Sequence, residues 1–346
     1  MKKLKKPVVL LAVLALVFGL TACGEATDPV VSPDITNSPE VSAPSETPDA
    51  DESSTPESDA SDGTEAGQPQ LPTVDPSGAR ISIPEQIDTI IVLAPSLAEM
   101  VTALGHGDQI VAYDTASVGL EGLPADVPVL DTVTPDMEQL MALSPDVLLV
   151  SNLSLYDQES PYQQLIDNGV CVVCVPTSDS IADIQDDIAF VAAVLGETAK
   201  GESLIADMQA EVDRIAAIAA TITEKKTVYF EISAAPYMYS FGTGVFLNEM
   251  IELIGAENIL ADQEGWLSVG EESVVAADPN VILTNVNYID DPVQEIKDRS
   301  GWDALTAVKD GNVYYIDNMA SSLPNQNVVK ALKQMAEAIY PEYYGE

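Results

Sequence analysis

The sequence predicts an α/β protein, arranged as two lobes of like topology built on parallel sheets. Three observations carry this reading. From Ile81 onward, short β-branched runs alternate with short helical segments, the pattern of parallel strands joined by right-handed crossovers. The alternation starts afresh after a long helical tract at about 181–222. A stretch of the first half also returns in the second: Glu138-Gln-Leu-Met-Ala-Leu-Ser-Pro145-Asp-Val-Leu-Leu149 is echoed by Glu272-Ser-Val-Val-Ala-Ala-Asp-Pro279-Asn-Val-Ile-Leu283. Roughly 265 residues take part, enough for two lobes of ordinary domain size.

The elements follow in order. In the first half, Thr89–Ala94, Gln109–Tyr113, Val127–Leu130 and Asp146–Val150 read as strands, and Ser96–Leu104, Met137–Leu143 and Tyr162–Asp167 as helices. Val170-Cys-Val-Val-Cys-Val175 reads as a buried strand. Its two cysteines, three apart, point to opposite faces, which makes a local disulfide or a paired metal site awkward. The helical tract has a break near Gly196. Its second part repeats Leu204, Ile205, Met208, Val212, Ile215, Ile218 and Ile222 at helical spacing, suiting a core helix or a bridge between lobes. The second half supplies strand Thr227–Ile232, helix Phe246–Ile254, strands Val281–Thr284 and Val313–Ile316, and a final helix Val328–Ile339. In both echoed copies a proline ends a helix and leads into an apolar strand, because proline lacks the N–H and clashes with the preceding turn. Met137, Leu140 and Met141 take the inward face of the first copy, so Glu138 points away from the core.

The chain before Ile81 is of another kind. Lys2, Lys3, Lys5 and Lys6 precede an apolar run from Val8 to Leu20, shorter than the ~20 residues a membrane-spanning helix needs. These are the parts of a secretory signal, expected to occupy residues 1–22. Leu20-Thr21-Ala22-Cys23 resembles a bacterial lipobox, and the resemblance implies cleavage before Cys23 and lipidation of it. Residues 23–72 are rich in Ser, Thr, Pro, Asp and Glu and contain no Lys or Arg. Such a segment cannot bury enough surface to offset its ordering entropy, so a tether of roughly 40 Å is expected. The ordered parts are then expected at 73–180, 181–225 and 226–346.

Charge excludes several functions. The chain has 14 Lys+Arg against 56 Asp+Glu, a net charge of −42, which repels phosphate backbones and excludes nucleic acid as a partner. A single histidine cannot build a binding site for bare zinc or manganese. No phosphate-binding loop, nucleophile elbow or dinucleotide fingerprint is present; Ser240-Phe-Gly-Thr-Gly244 lacks the lysine and spacing, so no enzyme activity is expected and no cofactor is implied.

Several motifs, in this order and spacing, resemble the solute-binding proteins of ABC importers for iron chelates, haem and vitamin B12. They are Val92-Leu-Ala-Pro-Ser-Leu-Ala-Glu-Met100 with Leu104-Gly105, Met137-Glu-Gln-Leu-Met-Ala-Leu-Ser-Pro-Asp-Val147, Gly242-Thr-Gly-Val-Phe246, Ile254-Gly-Ala-Glu-Asn258 and Ser268-Val-Gly-Glu-Glu-Ser-Val-Val275. The resemblance covers about residues 80–340. It implies two Rossmann-like lobes joined by a single long helix, a small-molecule ligand in the cleft between them, and delivery to an ABC permease dimer with its ATPase subunits. It implies that Glu138 and Glu272 dock into arginine pockets of that permease, with Glu271 a lesser candidate. A monomer, held to the cell membrane outside the cytoplasm by its lipid, is expected.

By the same resemblance Trp266, Tyr237 and Tyr239 fall at ligand-contacting positions, Asp317 and Asn318 at a polar corner of the cleft, and Tyr156 with Ser151–Ser154 on the opposite wall. Strand carboxyl ends are where such sheets hold ligands. Lys297 and Arg299 are the only basic residues placed near the cleft, which favours a corrinoid or a neutral or cationic iron chelate over a catecholate siderophore. Haem would need an axial ligand, for which His106 stands in a surface turn and a tyrosine remains open. A surface adhesin or ligand sensor on the same fold is the alternative.

Overall fold

The alternating apolar runs of the first half become five short strands, all parallel. In the computed structural model, which describes residues 71–132, 135–151 and 161–345, they are β1 (Ile90–Val92), β2 (Ile110–Asp114), β3 (Val129–Leu130), β4 (Val147–Val150) and β5 (Cys171–Cys174). Their order across the sheet is β3-β2-β1-β4-β5. Helices α1 (Pro95–Ala103), α2 (Met137–Leu143) and α3 (Gln163–Asp167) make the crossovers. The central strands are buried on both faces, as crossover helices require, while edge strand β3 leaves Val129 exposed. Ile90, Val92, Val147, Leu149, Cys171 and Val173 pack on one side, and Ile91, Leu93, Leu148, Val150 and Cys174 on the other. The two cysteines are therefore free and separated by the sheet, and burial pushes both thiols up to about 11. The outer edge of β5 is covered by residues 74–80: Asp75, itself buried, accepts from the backbone N–H of Cys174 (2.9 Å).

The helical tract folds as α4 (Ile181–Val194) and α5 (Thr198–Ala219), with Gly196 in the left-handed conformation at the turn. The two run antiparallel, Gln185 meeting Gln209 and Ala192 meeting Gly201. A Cβ on Gly201 would lie 2.5 Å from that of Ala192, so the close approach requires glycine. α5, about 33 Å long, is the helix that joins the lobes. Near its start Lys200 Nζ donates to Leu104 O at the end of α1 (2.9 Å), and near its other end Ile215 O accepts from Tyr344 in the second lobe (3.2 Å).

The second half forms β6 (Thr227–Glu231), β7 (Tyr239–Phe241), α6 (Phe246–Leu253), β8 (Glu257–Asn258), β9 (Trp266–Ser268), α7 (Glu271–Ala277) and β10 (Val281–Thr284). Then follow α8 (Pro292–Lys297), α9 (Thr306–Lys309), β11 (Val313–Tyr315), α10 (Asn318–Ser322), α11 (Val328–Ile339) and α12 (Pro341–Tyr344). The sheet is again parallel, in the order β11-β10-β6-β8. Beside it β7 and β9 form an antiparallel ribbon that the sequence pattern does not announce, each strand being only three residues long. Gly242 ends β7 where a Cβ would lie 2.1 Å from Gln263 O, so only glycine lets the two chains meet.

The inner faces of both sheets share one continuous apolar core with α1, α4, α5, α6 and α11. α2 and α3 cover the outer face of the first sheet, and α7, α8 and α9 that of the second. The echoed segments are structural twins. Ser144 and Asp278 end α2 and α7 in left-handed conformation (φ 43° and 44°). Asp146 Oδ2 then accepts from Thr89 N (2.8 Å) and Thr89 Oγ1 (2.9 Å) at the start of β1. Asn280 Oδ1 accepts from Thr227 N (2.8 Å) and Thr227 Oγ1 (3.0 Å) at the start of β6. Among the described residues no helix is long and apolar enough to cross a membrane.

Candidate functional site

The carboxyl ends of β1, β4 and β5 open into a pocket of about 120 Å³ that the second lobe walls on one side. Ala94, Ser96, Ser151 and Thr177 line it from the first lobe, and Ser322 and Pro324 from the second. Among the described lining residues the charged group is Asp187, presented by α4. Burial pushes the Asp187 carboxyl up to about 6; the hydrogen bond from Ser178 Oγ (2.5 Å) opposes this, and the like charges of Asp183 and Asp186 reinforce it. A larger depression, about 380 Å³, lies among Lys225, Lys226, Asn280 and Tyr340 at the amino ends of β6 and β10, the wrong end of the sheet for a ligand.

Two contacts set the lobes against each other beside the pocket. Asn325, fully buried before α11, donates to Glu99 Oε2 on α1 (2.6 Å). Glu249 of α6 accepts from the backbone N–H of Ile181 at the start of α4 (2.8 Å), where the helix dipole favours a carboxylate.

The second lobe's side of the cleft is aromatic and amide-rich. Along the carboxyl edge of its sheet stand Asp317 and Asn318 after β11, Tyr288 after β10, and Tyr237 and Tyr239 after β6. Tyr237 is 85% exposed and Tyr288 62%. Tyr288 Oη accepts from Ala234 N (2.9 Å), pinning the loop that carries Tyr237. Trp266 stands apart from them on the β7–β9 ribbon, 45% exposed, its ring edge-on to Phe241 (6.0 Å between centroids). Asp317 and Asn318 are engaged internally. Asp317 caps α10 by accepting from Ala320 N (2.8 Å), while Asn318 donates to Asn285 O (2.7 Å) and accepts from Asn287 (2.9 Å).

Arg299 does not offer its charge to the cleft. It lies buried with both Nη atoms on Glu231, the last residue of β6 (2.7 and 2.9 Å), and Nε and Nη2 on Glu295, while its guanidinium stacks on Trp302 (4.4 Å to the ring centroid). Both carboxylates hold the guanidinium protonated against the opposing effect of burial. Lys297 ends α8. His106 pairs with Gln109 and Glu197 beyond the end of α1. Among the described residues no group of three or more His, Cys, Asp or Glu is placed to hold a metal ion.

Glu138 and Glu272 occupy the first turns of α2 and α7, both exposed, each on its own lobe; Glu271 is exposed beside Glu272. Cys23, Asn152, Leu153, Ser154 and Tyr156 lie outside the described residues. Asp187, Tyr288 and the Glu99–Asn325 contact were not singled out from the sequence. For Asp187 a signal existed: it sits three after Ile184 and four before Val191, a carboxylate on the apolar stripe of α4. For Tyr288 the rule that ligands gather at strand ends named its loop but not the residue.

Two parallel α/β lobes, one bridging helix and a cleft at the strand carboxyl ends define a two-lobed binding protein. The chain belongs to the periplasmic binding protein family, whose profile matches residues 90–320. An uncharacterized ABC transporter substrate-binding lipoprotein of Bacillus subtilis is 29% identical over 277 residues, covering 79% of this chain and 86% of that protein. A cobalamin-binding protein of Halobacterium salinarum is 25% identical over 286 residues, covering 77% and 73%. The crystal structure of a possible iron-binding, periplasmic solute-binding protein from Staphylococcus epidermidis superimposes with a TM-score of 0.65 at 27% identity, covering 74% of this chain and all of that one.

Proposed function

We propose that this protein is a lipid-anchored receptor outside the cytoplasm that captures a corrinoid or iron chelate and delivers it to an ABC permease. The observation that carries the reading is the matched pair of exposed glutamates, Glu138 and Glu272, one per lobe, each in the first turn of a helix on the same duplicated framework. Two fixed carboxylates, one on each lobe, suit two guanidinium forks on a symmetric partner, which sets orientation and speeds encounter. Cys23 supplies the anchor, and residues 23–72 the reach. The ligand seats between the first lobe's strand ends and the wall formed by Tyr237, Tyr239 and Tyr288. Trp266, Asp317 and Asn318 form its margins, and Ser151 faces it from the first lobe.

The test has two readings. Tryptophan fluorescence of the full chain in detergent is titrated with cobalamin, ferric chelates and haem, and uptake of the ligand that binds is measured in cells. Charge reversal at Glu138 and Glu272 together is expected to abolish uptake while leaving binding unchanged, and each single reversal to reduce it. Undiminished uptake by the double variant would overturn docking through this pair, and uptake that also survives deletion of the whole protein would favour an adhesin or sensor; loss of binding would place the two glutamates in the wrong role.

A further inference from the structure

Between Arg80 and Lys200 the sequence has nineteen Asp or Glu and not one Lys or Arg. Apart from Arg80, which is exposed at the edge of β5 and outside the pocket lining, the first lobe thus has no Lys or Arg to meet a ligand. Most cations of the rest of the described chain are committed elsewhere. Lys200 and Arg214 bond to Leu104 O and Glu211. Lys225 and Lys226 stand at the start of β6, paired with Glu257 and Glu342. Lys333 reaches Glu211, and Arg299 is saturated by Glu231 and Glu295. Lys297, Lys309 and Lys330 stand on α8, α9 and α11, outside the pocket lining. Among the described residues of the pocket between the lobes Asp187 is the charged one, its hydrogen-bonding partner a neutral hydroxyl, Ser178. The other described lining groups are apolar side chains, hydroxyls and backbone. At about 120 Å³ the pocket admits a side arm and is too small for a drug-sized ligand, which needs ~300 Å³ or more.

Resting on the receptor reading above, we infer that the ligand is one that sends a positively charged arm into this pocket to meet Asp187, and that the receptor discriminates by charge in favour of cationic over anionic ligands of the same shape. A carboxylate sheltered by apolar walls interacts more strongly with a cation than one in open water. The same shelter makes an anionic arm costly, because among the described lining residues no donor but side-chain hydroxyls and backbone is there to receive it. The field of the acidic first lobe acts in the same direction at longer range and is weakened by salt, whereas the local contact is screened less.

Matched probes separate these effects. Ferrioxamine B, its N-acetyl derivative and its N-succinyl derivative share one ferric chelate and end in a cationic, a neutral and an anionic arm; aquocobalamin and cyanocobalamin are a corrinoid pair differing by one positive charge. Titrating the full chain in detergent, we expect the cationic member of the series that binds to be at least about tenfold tighter than its anionic or neutral counterpart. In Asp187→Asn the preference should fall to within about twofold. Asp186→Asn, on the same helix but outside the pocket lining, should keep it, which separates the contact from the general field. Equal or tighter binding of the anionic or neutral probe overturns the inference while leaving the receptor reading intact, as does a preference that survives Asp187→Asn in a protein with unchanged melting temperature. Binding by none of the five probes overturns both.

Discussion

The two lobes share a framework and differ in the charged, aromatic and amide side chains that the described residues bring to the cleft. In each, a helix ends in a left-handed non-glycine residue, a proline follows, and the next side chain clasps a threonine at the start of the neighbouring strand. Yet the first lobe presents acidic and hydroxyl groups, and the second presents tyrosines and amides over a buried Arg299–Glu231–Glu295 cluster that has no counterpart among the described residues of the first. What this teaches is that the duplicated part is structural, and it carries the glutamate pair for which docking is proposed. The parts at the strand carboxyl ends differ between the lobes, because strand ends and loops tolerate change that strand starts and caps do not.

The largest expected break in the comparison is at the buried cluster. Arg299→Met leaves Glu231 buried without its partner and should cost about 3–5 kcal/mol. Both tryptophans, Trp266 and Trp302, lie in the second lobe, so their fluorescence reports that lobe while far-ultraviolet circular dichroism reports both. The continuous core predicts that the two signals still fall together during urea unfolding. Separate transitions would mean that the lobes unfold independently.

Next in size are the clasps. Thr89→Val removes a hydroxyl from a carboxylate, Thr227→Val one from an amide. Losses of about 2 and about 1 kcal/mol are expected, since bonds to charged groups are the stronger. Burial pushes the Asp146 carboxyl up, but the bonds from Asp88 and Thr89 outweigh it and hold it below the usual carboxylate range. Its contribution is therefore present above pH ~4 and lost as pH falls through the folded-state value. Denaturant midpoints of the two variants should converge in acid; a constant gap would show that the charge is immaterial.

Asp187 runs the other way. Its raised value, about 6, means that the folded apo protein disfavours the charged form above that pH and regains stability as pH falls from 6 towards 4. Asp187→Asn keeps the Ser178 contact and should stabilise the empty protein by about 1 kcal/mol at pH 7.5, after screening through the open side of the pocket. Thermal melts at pH 7.5 and 5 check this, the gain shrinking at the lower pH. Smallest of all, Ser144→Gly should relieve left-handed strain by up to about 1 kcal/mol. Asp278→Gly should gain less or lose, because the Asp278 carboxylate accepts from Thr306 N (2.7 Å) and Oγ1 (2.9 Å). Equal gains at the two sites would remove the asymmetry between the twins.

The sequence alone was enough for the α/β class, the duplicated helix–proline–strand unit, the break near Gly196 and the separation of Cys171 from Cys174. Each of these depends on local periodicity or on one residue's backbone preference, which a linear chain displays directly. The echo even showed which glutamates to compare. Tertiary structure decided the rest. It wrote the β7–β9 ribbon from strands too short to show a period, and it withdrew Arg299 from the cleft by burying it against Glu231, a partner 68 positions away. It gave Asp317 and Asn318 internal partners, and it made Asp187 the charge of a pocket walled by residues from both ends of the folded chain. A side chain's environment is set by contacts distant in sequence, so pattern can say that a carboxylate lies on an apolar stripe but not what stands opposite it.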